Sequence, residues 1–411
     1  MESMPAPQKF TLANGVRVLV EPVESVHSAA IGLWCQTGSR HENDDEAGIT
    51  HLIEHMLFKG TEKRTAKEIA EAIEGRGGSL NAFTDKESTC YYCRVLADDV
   101  HNGVDVLSDM MLHSLIDPEE LTREEGVVLE EISRSEDEPE SHVHDLHIEE
   151  RWGNHPLGKP IIGTRESVAG FKREHLNTYM DRRYRGNNVL LAIAGRVDVE
   201  QIRAWAEEAL GRIPAGGESD KVTKPTGKGG KHEVTKDVEQ VHFCIGTDAC
   251  SIYDENIYTL RILDGILGGG MSSRLFQEIR EKRGLAYSVG SYSLNYSAGG
   301  AFTIYGGTSR KTWDDVQALV RTEIQRLIHD GLETGELERT QRNLSGHLVL
   351  ALEGMSARMT RMSRNELIFG RDIPVEESVA KLGAVTEAQV RELAESMLSE
   401  SNMSTTAIGP F

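Results

Sequence analysis

The feature that most constrains this chain is that its residue pattern occurs twice. Residues 214–231 are rich in Gly, Pro, Lys, Ser and Thr with little that could pack, which is a linker composition. The segments on either side, about 213 and about 180 residues, run through the same order of signals. Each opens on an apolar, strand-like run, Ala29 to Cys35 or Gln240 to Gly246. A mostly apolar helix ending at glycine follows, at 50–60 or 259–269. Then come a short charged helix, a glycine break, two β-rich runs (79–96 or 285–307) and a long helix (97–115 or 311–330). Asp117-Pro118-Glu119-Glu120-Leu121 or Thr334-Gly335-Glu336-Leu337 announces one more helix. A repeat of roughly 200 residues is too long for a solenoid unit. It predicts an α+β fold of two homologous domains, each a mostly antiparallel sheet with helices packed on one face. The domains are expected at 1–213 and 232–411.

Charge and composition narrow the function. Lys plus Arg number 45 against 66 for Asp plus Glu, a net charge of −21. Such a field repels nucleic acid and anionic membrane and attracts cationic ligands. No apolar run approaches the length of a membrane span. Met1-Glu2-Ser3-Met4-Pro5 has neither the basic nor the apolar region of a secretory signal. The five cysteines are few and odd in number, so a reducing compartment, the cytoplasm, is expected. Cys90-x-x-Cys93 sits in a strand-like run. Positions i and i+3 of a strand face opposite ways, so the pair reads as two unrelated buried thiols.

The two copies differ where chemistry could occur. His51-Leu52-Ile53-Glu54-His55 lies in the first apolar helix. Residues i and i+4 stack on one helix face, so both imidazoles can address one metal ion. Glu54 sits beside them, where it can act on a water at that ion, inverting the H-E-x-x-H order. Ionisable groups within a helix of Ile49, Leu52, Ile53, Met56, Leu57 and Phe58 need a partner. The second copy has Leu260, Leu263 and Asp264 at these places. A catalytic zinc takes a third protein ligand and keeps one position open. The helix starting near Leu121 carries Glu124 and Glu131 two turns apart on a shared face, while Glu130 points elsewhere.

Gly48-Ile49-Thr50-His51-Leu52-Ile53-Glu54-His55-Met56-Leu57-Phe58-Lys59-Gly60-Thr61 resembles the signature of the pitrilysin/insulinase zinc metallopeptidases, the inverzincins. The likeness is closest to the short-chain branch of mitochondrial processing peptidases and their bacterial relatives. The third ligand in that family is a Glu some 75 residues past the second His and seven past another Glu. Glu131 and Glu124 have that spacing. The resemblance therefore implies one Zn2+ per chain on His51, His55 and Glu131, with Glu54 as catalytic base and Glu124 orienting the site. Gly77 to Thr84, followed by Glu87, resembles the family's active-site edge strand. A substrate adds there as a further strand, which implies substrate contacts at Asn81 and Ala82. Arg280 and Tyr287, seven apart, resemble the pair that contacts the substrate backbone. The implied activity is endoproteolysis of peptides or unfolded segments inside a chamber formed by a homodimer. The charge suggests cationic substrates. The rival readings are a non-catalytic core-type assembly subunit, which typically loses zinc ligands or Glu54, and a peptide-binding scaffold.

A second group, His142, His144, His147 and His155, follows the acidic run Glu136-Asp137-Glu138. It reads as a solvated helix face, with His155 in a turn-rich loop.

Overall fold

Apolar runs without polar alternation become central strands in the computed structural model, which describes residues 6–217 and 223–411. Residues 218–222 of the expected linker lie outside the described residues. The first sheet is built from β1 (Gln8–Thr11), β2 (Arg17–Pro22), β3 (Ser28–Cys35), β4 (Ser79–Thr84), β5 (Thr89–Leu96) and β6 (Val189–Gly195), in the order β1-β2-β6-β3-β5-β4. Every pair is antiparallel except β2 with β6. All seven residues of β6 are buried, the signature of a strand covered on both faces. On one face Val18, Val20, Ile31, Leu33, Tyr91, Cys93, Leu191 and Ile193 join a core with the helices Ile49–Leu57 and Val100–His113.

The opposite face is also covered. Leu19, Ala30, Trp34, Cys90, Leu190 and Ala192 pack with Met355, Met359 and Met362 of the helix Met355–Phe369. That helix comes so close that a Cβ on Gly32 would lie 2.4 Å from Met359 Sδ and 2.7 Å from Trp34 Nε1. Cys90 and Cys93 belong to the cores on opposite faces of the sheet, and all five cysteines are free.

The second sheet holds β7 (Gly230–Thr235), β8 (Gln240–Ala249), β9 (Ala286–Asn295), β10 (Gly300–Ser309) and β11 (Ser404–Gly409), in the order β7-β11-β8-β10-β9. Its single parallel pair is β7 with β11. Val241, Phe243, Ile245, Phe302, Ile304 and Ala407 form its main core with helices that include Ile257–Leu267 and Trp313–Asp330. The other face meets the helix Pro139–Trp152, through Val143 against Cys244 and Ile408, and through Ile148 and Trp152 against Ala301. The two compact units are therefore not contiguous in sequence. The first takes in Leu350–Pro374, and the second takes in Ser133–Lys159. No helix among the described residues is long and apolar enough to cross a membrane.

Candidate metal centre and its surroundings

The helix Ile49–Leu57 divides by residue type. Ile49, Leu52, Ile53, Met56 and Leu57 are at most 1% exposed, each contributing about 1.5–3 kcal/mol relative to an exposed side chain. His51, Glu54 and His55 lie on the half-exposed side. The helix starts at Gly48, whose φ of +90° is the left-handed region that favours glycine. A Cβ there would also lie 2.6 Å from the Ile162 carbonyl oxygen. Glu42 holds this start. Its carboxylate accepts from Gly48 N at 2.8 Å and from Thr50 N at 2.9 Å. Burial pushes its pKa up to about 7, against the pull of those amides.

The two imidazole rings lie 4.6 Å apart between centroids. Nε2 of each stands 3.9 Å from Glu131 Oε2. His51, His55 and Glu131 each offer a donor atom within 4.8 Å of the others. Tetrahedral zinc, with ligands at about 2.0–2.2 Å, sets neighbouring donors about 3.3–3.6 Å apart. The two His–Glu131 spacings exceed that range by a few tenths of an ångström, and all three donors converge within 4.8 Å, an arrangement that closes on a zinc-sized ion with small side-chain shifts.

Glu124, on the same helix (Pro118–Asp137) as Glu131, is only 6% exposed. Its Oε2 lies 3.0 Å from His55 Nδ1, and its Oε1 accepts from Lys59 Nζ at 2.5 Å. A carboxylate can only accept, so this contact places the His55 proton on Nδ1 and leaves the Nε2 lone pair facing Glu131. Burial, and then His55, pushes His51 down to about 4, which keeps this ring neutral. His51 Nδ1 is buried with no partner among the described residues. Glu54 accepts a hydrogen bond from Thr84 Oγ1 at 2.5 Å. Burial raises its pKa, and the Thr84 hydrogen bond opposes that.

Thr84 ends β4, which has no neighbour on its outer side among the described strands. Asn81 and Ala82 lie on this edge strand. Asn81 is exposed, and its Oδ1 takes the Ala82 amide at 2.8 Å. Arg280 and Tyr287 belong to the second unit. The Arg280 guanidinium carbon lies 5.2 Å from the Tyr287 ring centroid.

Sequence reasoning assigned no role to Glu42, Lys59 or Thr84. Lys59 carried a signal, four residues after His55 on the same face. Glu42 carried none, because loop geometry brings it back to the helix start.

One expectation is corrected. His144 and His147 do not form a solvated face. His147 is 1% exposed and meets Thr406 Oγ1 at 3.1 Å. His144 contacts Tyr292 OH at 2.8 Å. The acidic run before them is exposed, but the helix Pro139–Trp152 turns His144 and His147 onto the second sheet.

Comparison with known proteins agrees with this architecture. Residues 17–165 match Insulinase (Peptidase family M16), and residues 170–344 match Peptidase M16 inactive domain. "Uncharacterized zinc protease YmxG" of Bacillus subtilis is 41% identical over 396 residues, covering 96% of each chain. "Uncharacterized zinc protease SCO5738" of Streptomyces coelicolor is 38% identical, covering 98% of this chain and 90% of that one. The chain thus belongs to the insulinase family of peptidases, family M16. A crystal structure of a peptidase M16 inactive domain from Pseudomonas fluorescens superposes with a TM-score of 0.91 at 21% identity, covering 99% of this chain and 98% of that one. A protease from Helicobacter pylori gives 0.90 at 19%, covering 98% and 99%. These two share the fold.

Proposed function

We propose that this chain is a zinc-dependent endopeptidase of the inverted H-x-x-E-H type. The observation that carries the reading is the convergence of two imidazoles and the Glu131 carboxylate, beside a half-buried carboxylate, Glu54, that is not one of the three and accepts from the Thr84 hydroxyl instead. The relatives' zinc-protease names support it. His51, His55 and Glu131 would hold one Zn2+ per chain. When bound, the ion supplies a Lewis acid that polarises the scissile carbonyl and makes water a competent nucleophile near neutral pH.

The chain's own groups do the rest. Glu54, oriented by the Thr84 hydroxyl, takes the proton of the attacking water and delivers it to the leaving amine. Glu124, whose other oxygen is held by Lys59, fixes the tautomer of His55. The free edge of β4, with Asn81 and Ala82, accepts an extended peptide as an added strand, which reads backbone rather than side chains. Arg280 and Tyr287 contact the substrate backbone. The working form is a homodimer that encloses cationic, extended peptides or unfolded segments in a chamber, in a reducing compartment such as the cytoplasm.

Elemental analysis and a peptide-cleavage assay test this together. About one zinc per chain is expected, with activity lost to a chelator and restored by zinc. An intact protein without zinc, or one that cleaves equally well after chelation, overturns the reading. A protein that binds zinc and peptides but cleaves none is a scaffold instead.

A further inference from the structure

In the second unit, Phe276–Glu281 forms a π-helix, a rare element found mostly as single turns and frequently at functional sites. Its wider turn shows in the bond from Lys282 N to Gln277 O, 2.9 Å. One side of the segment is anchored in the protein. Leu275 and Ile279 are fully buried in the core, and just ahead of the π-helix Arg274 makes a two-pronged ion pair with Glu336 at 2.8 and 2.6 Å. Phe276 and Arg280 are only partly buried, and Phe276 does not belong to the core formed by Leu275 and Ile279.

Arg280 is held by aromatic faces. Its guanidinium carbon lies 4.7 Å from the Phe276 ring centroid and 5.2 Å from that of Tyr287. The neighbouring cations are satisfied by a carboxylate, since Lys282 and Arg283 both pair with Glu278. Among the described residues the only carboxylate near Arg280 is that of Glu281, at 4.0 Å from Nε, beyond hydrogen-bond distance. Stacking occupies the flat faces of a guanidinium and leaves its in-plane N–H edge available. Tyr287 is itself 79% exposed, so it supports Arg280 weakly on its own.

We propose that Phe276 is a positioning residue. Its ring is the platform that holds the Arg280 guanidinium with the N–H edge open to the carbonyl oxygens of an extended peptide. The inference rests on the reading of Arg280 as a substrate contact. A preset Arg loses less side-chain freedom on binding than a mobile one, so removing the platform should weaken peptide binding while Arg280 stays present.

The test measures binding of a fluorescent extended peptide to full-length protein in the Glu54→Gln background, where turnover does not interfere. Phe276→Leu should weaken binding about two- to fivefold, the size of one exposed cation–π contact. Phe276→Tyr, which restores an aromatic face, should recover the starting affinity. In an Arg280→Ala background Phe276→Leu should have no further effect. Thermal melting confirms that each variant is folded, and Phe276→Tyr decides the matter if Phe276→Leu is not. If Arg280→Ala weakens binding but Phe276→Leu does not, or if both losses add fully in the double variant, the positioning role is wrong. If Arg280→Ala leaves binding unchanged, the substrate-contact reading fails and the role of Phe276 fails with it.

Discussion

Replacing Glu124 by Gln tests how the site controls the proton on His55. The carboxylate serves two donors at once, His55 Nδ1 at 3.0 Å and Lys59 Nζ at 2.5 Å. Glutamine has one oxygen. If that oxygen faces His55, the amide NH2 points at the Lys59 ammonium. If it faces Lys59, the NH2 meets Nδ1 and drives the imidazole proton to Nε2, the atom beside Glu131. Either arrangement leaves one buried polar contact unmade, a cost of about 1–3 kcal/mol. Loss of such an outer partner lowers metal affinity by about 10- to 100-fold, or about 1.4–2.7 kcal/mol, so the two routes agree. Zinc competition against a chromophoric chelator at pH 7.5 reads this directly, with circular dichroism to confirm folding. Lys59→Met leaves the His55 contact in place and should change affinity by less than about threefold. If Glu124→Gln binds zinc within threefold of wild type, the tautomer argument is refuted.

Other outcomes follow from the same geometry. Glu54→Gln should keep its zinc and lose about 100- to 10,000-fold in kcat; a variant retaining a tenth of wild-type turnover would show that Glu54 is not the base. Glu42→Ala leaves the Gly48 and Thr50 amides without their acceptor and should lower stability by about 2–4 kcal/mol, measured by urea unfolding with chelator present. An unchanged midpoint would exclude Glu42 as the helix cap. His147 is pushed down to about 3 by burial first, then by Arg151 and His144. Between its ordinary value of 6.5 and pH 3 the unfolded chain binds a proton that the fold refuses. Stability should therefore fall on acidification through that window by up to about 1.4 kcal/mol per pH unit. His147→Gln should remove this component, and equal pH slopes in the two proteins would contradict it. Basic peptides should be cleaved faster than matched acidic ones at low salt, the gap closing as salt rises. Equal specificity constants at low salt would put the −21 charge elsewhere than at the substrate's path.

The sequence made some features legible because they are local and periodic. His51 and His55 could be placed on one helix face because four residues make about one turn, and Glu124 and Glu131 for the same reason over two turns. The strand nature of Cys90 and Cys93 followed from a β-rich run, and the duplication from the order of elements. Contacts set by loop closure stayed hidden. Nothing in Glu42 distinguishes it from the acidic residues around it until the loop returns its carboxylate to Gly48. The histidines after Glu138 misled because composition reports charge along the chain. Burial on that helix is decided by a sheet face formed about a hundred residues later. Coverage of both faces of each sheet was illegible for the same reason, since Met355, Met359 and Met362 complete a face begun at Leu19 and Ala30.

That last arrangement bears on how the polypeptide can be cut. A fragment ending in the 214–231 segment contains the whole first sheet but not Met355–Phe369. It would present Leu19, Ala30, Trp34 and Leu190 to water as one continuous apolar surface, the kind that drives aggregation. The remaining piece would lack Pro139–Trp152 and leave Cys244, Ala301 and Ile408 uncovered. Neither copy of the repeat is thus a free-standing folding unit, although each looks like a domain in the sequence. Expressed separately, the pieces should be insoluble; expressed together, they should reassemble as a split protein. A reciprocal exchange of helices of this kind is what a swapped homodimer becomes when its two chains are fused end to end.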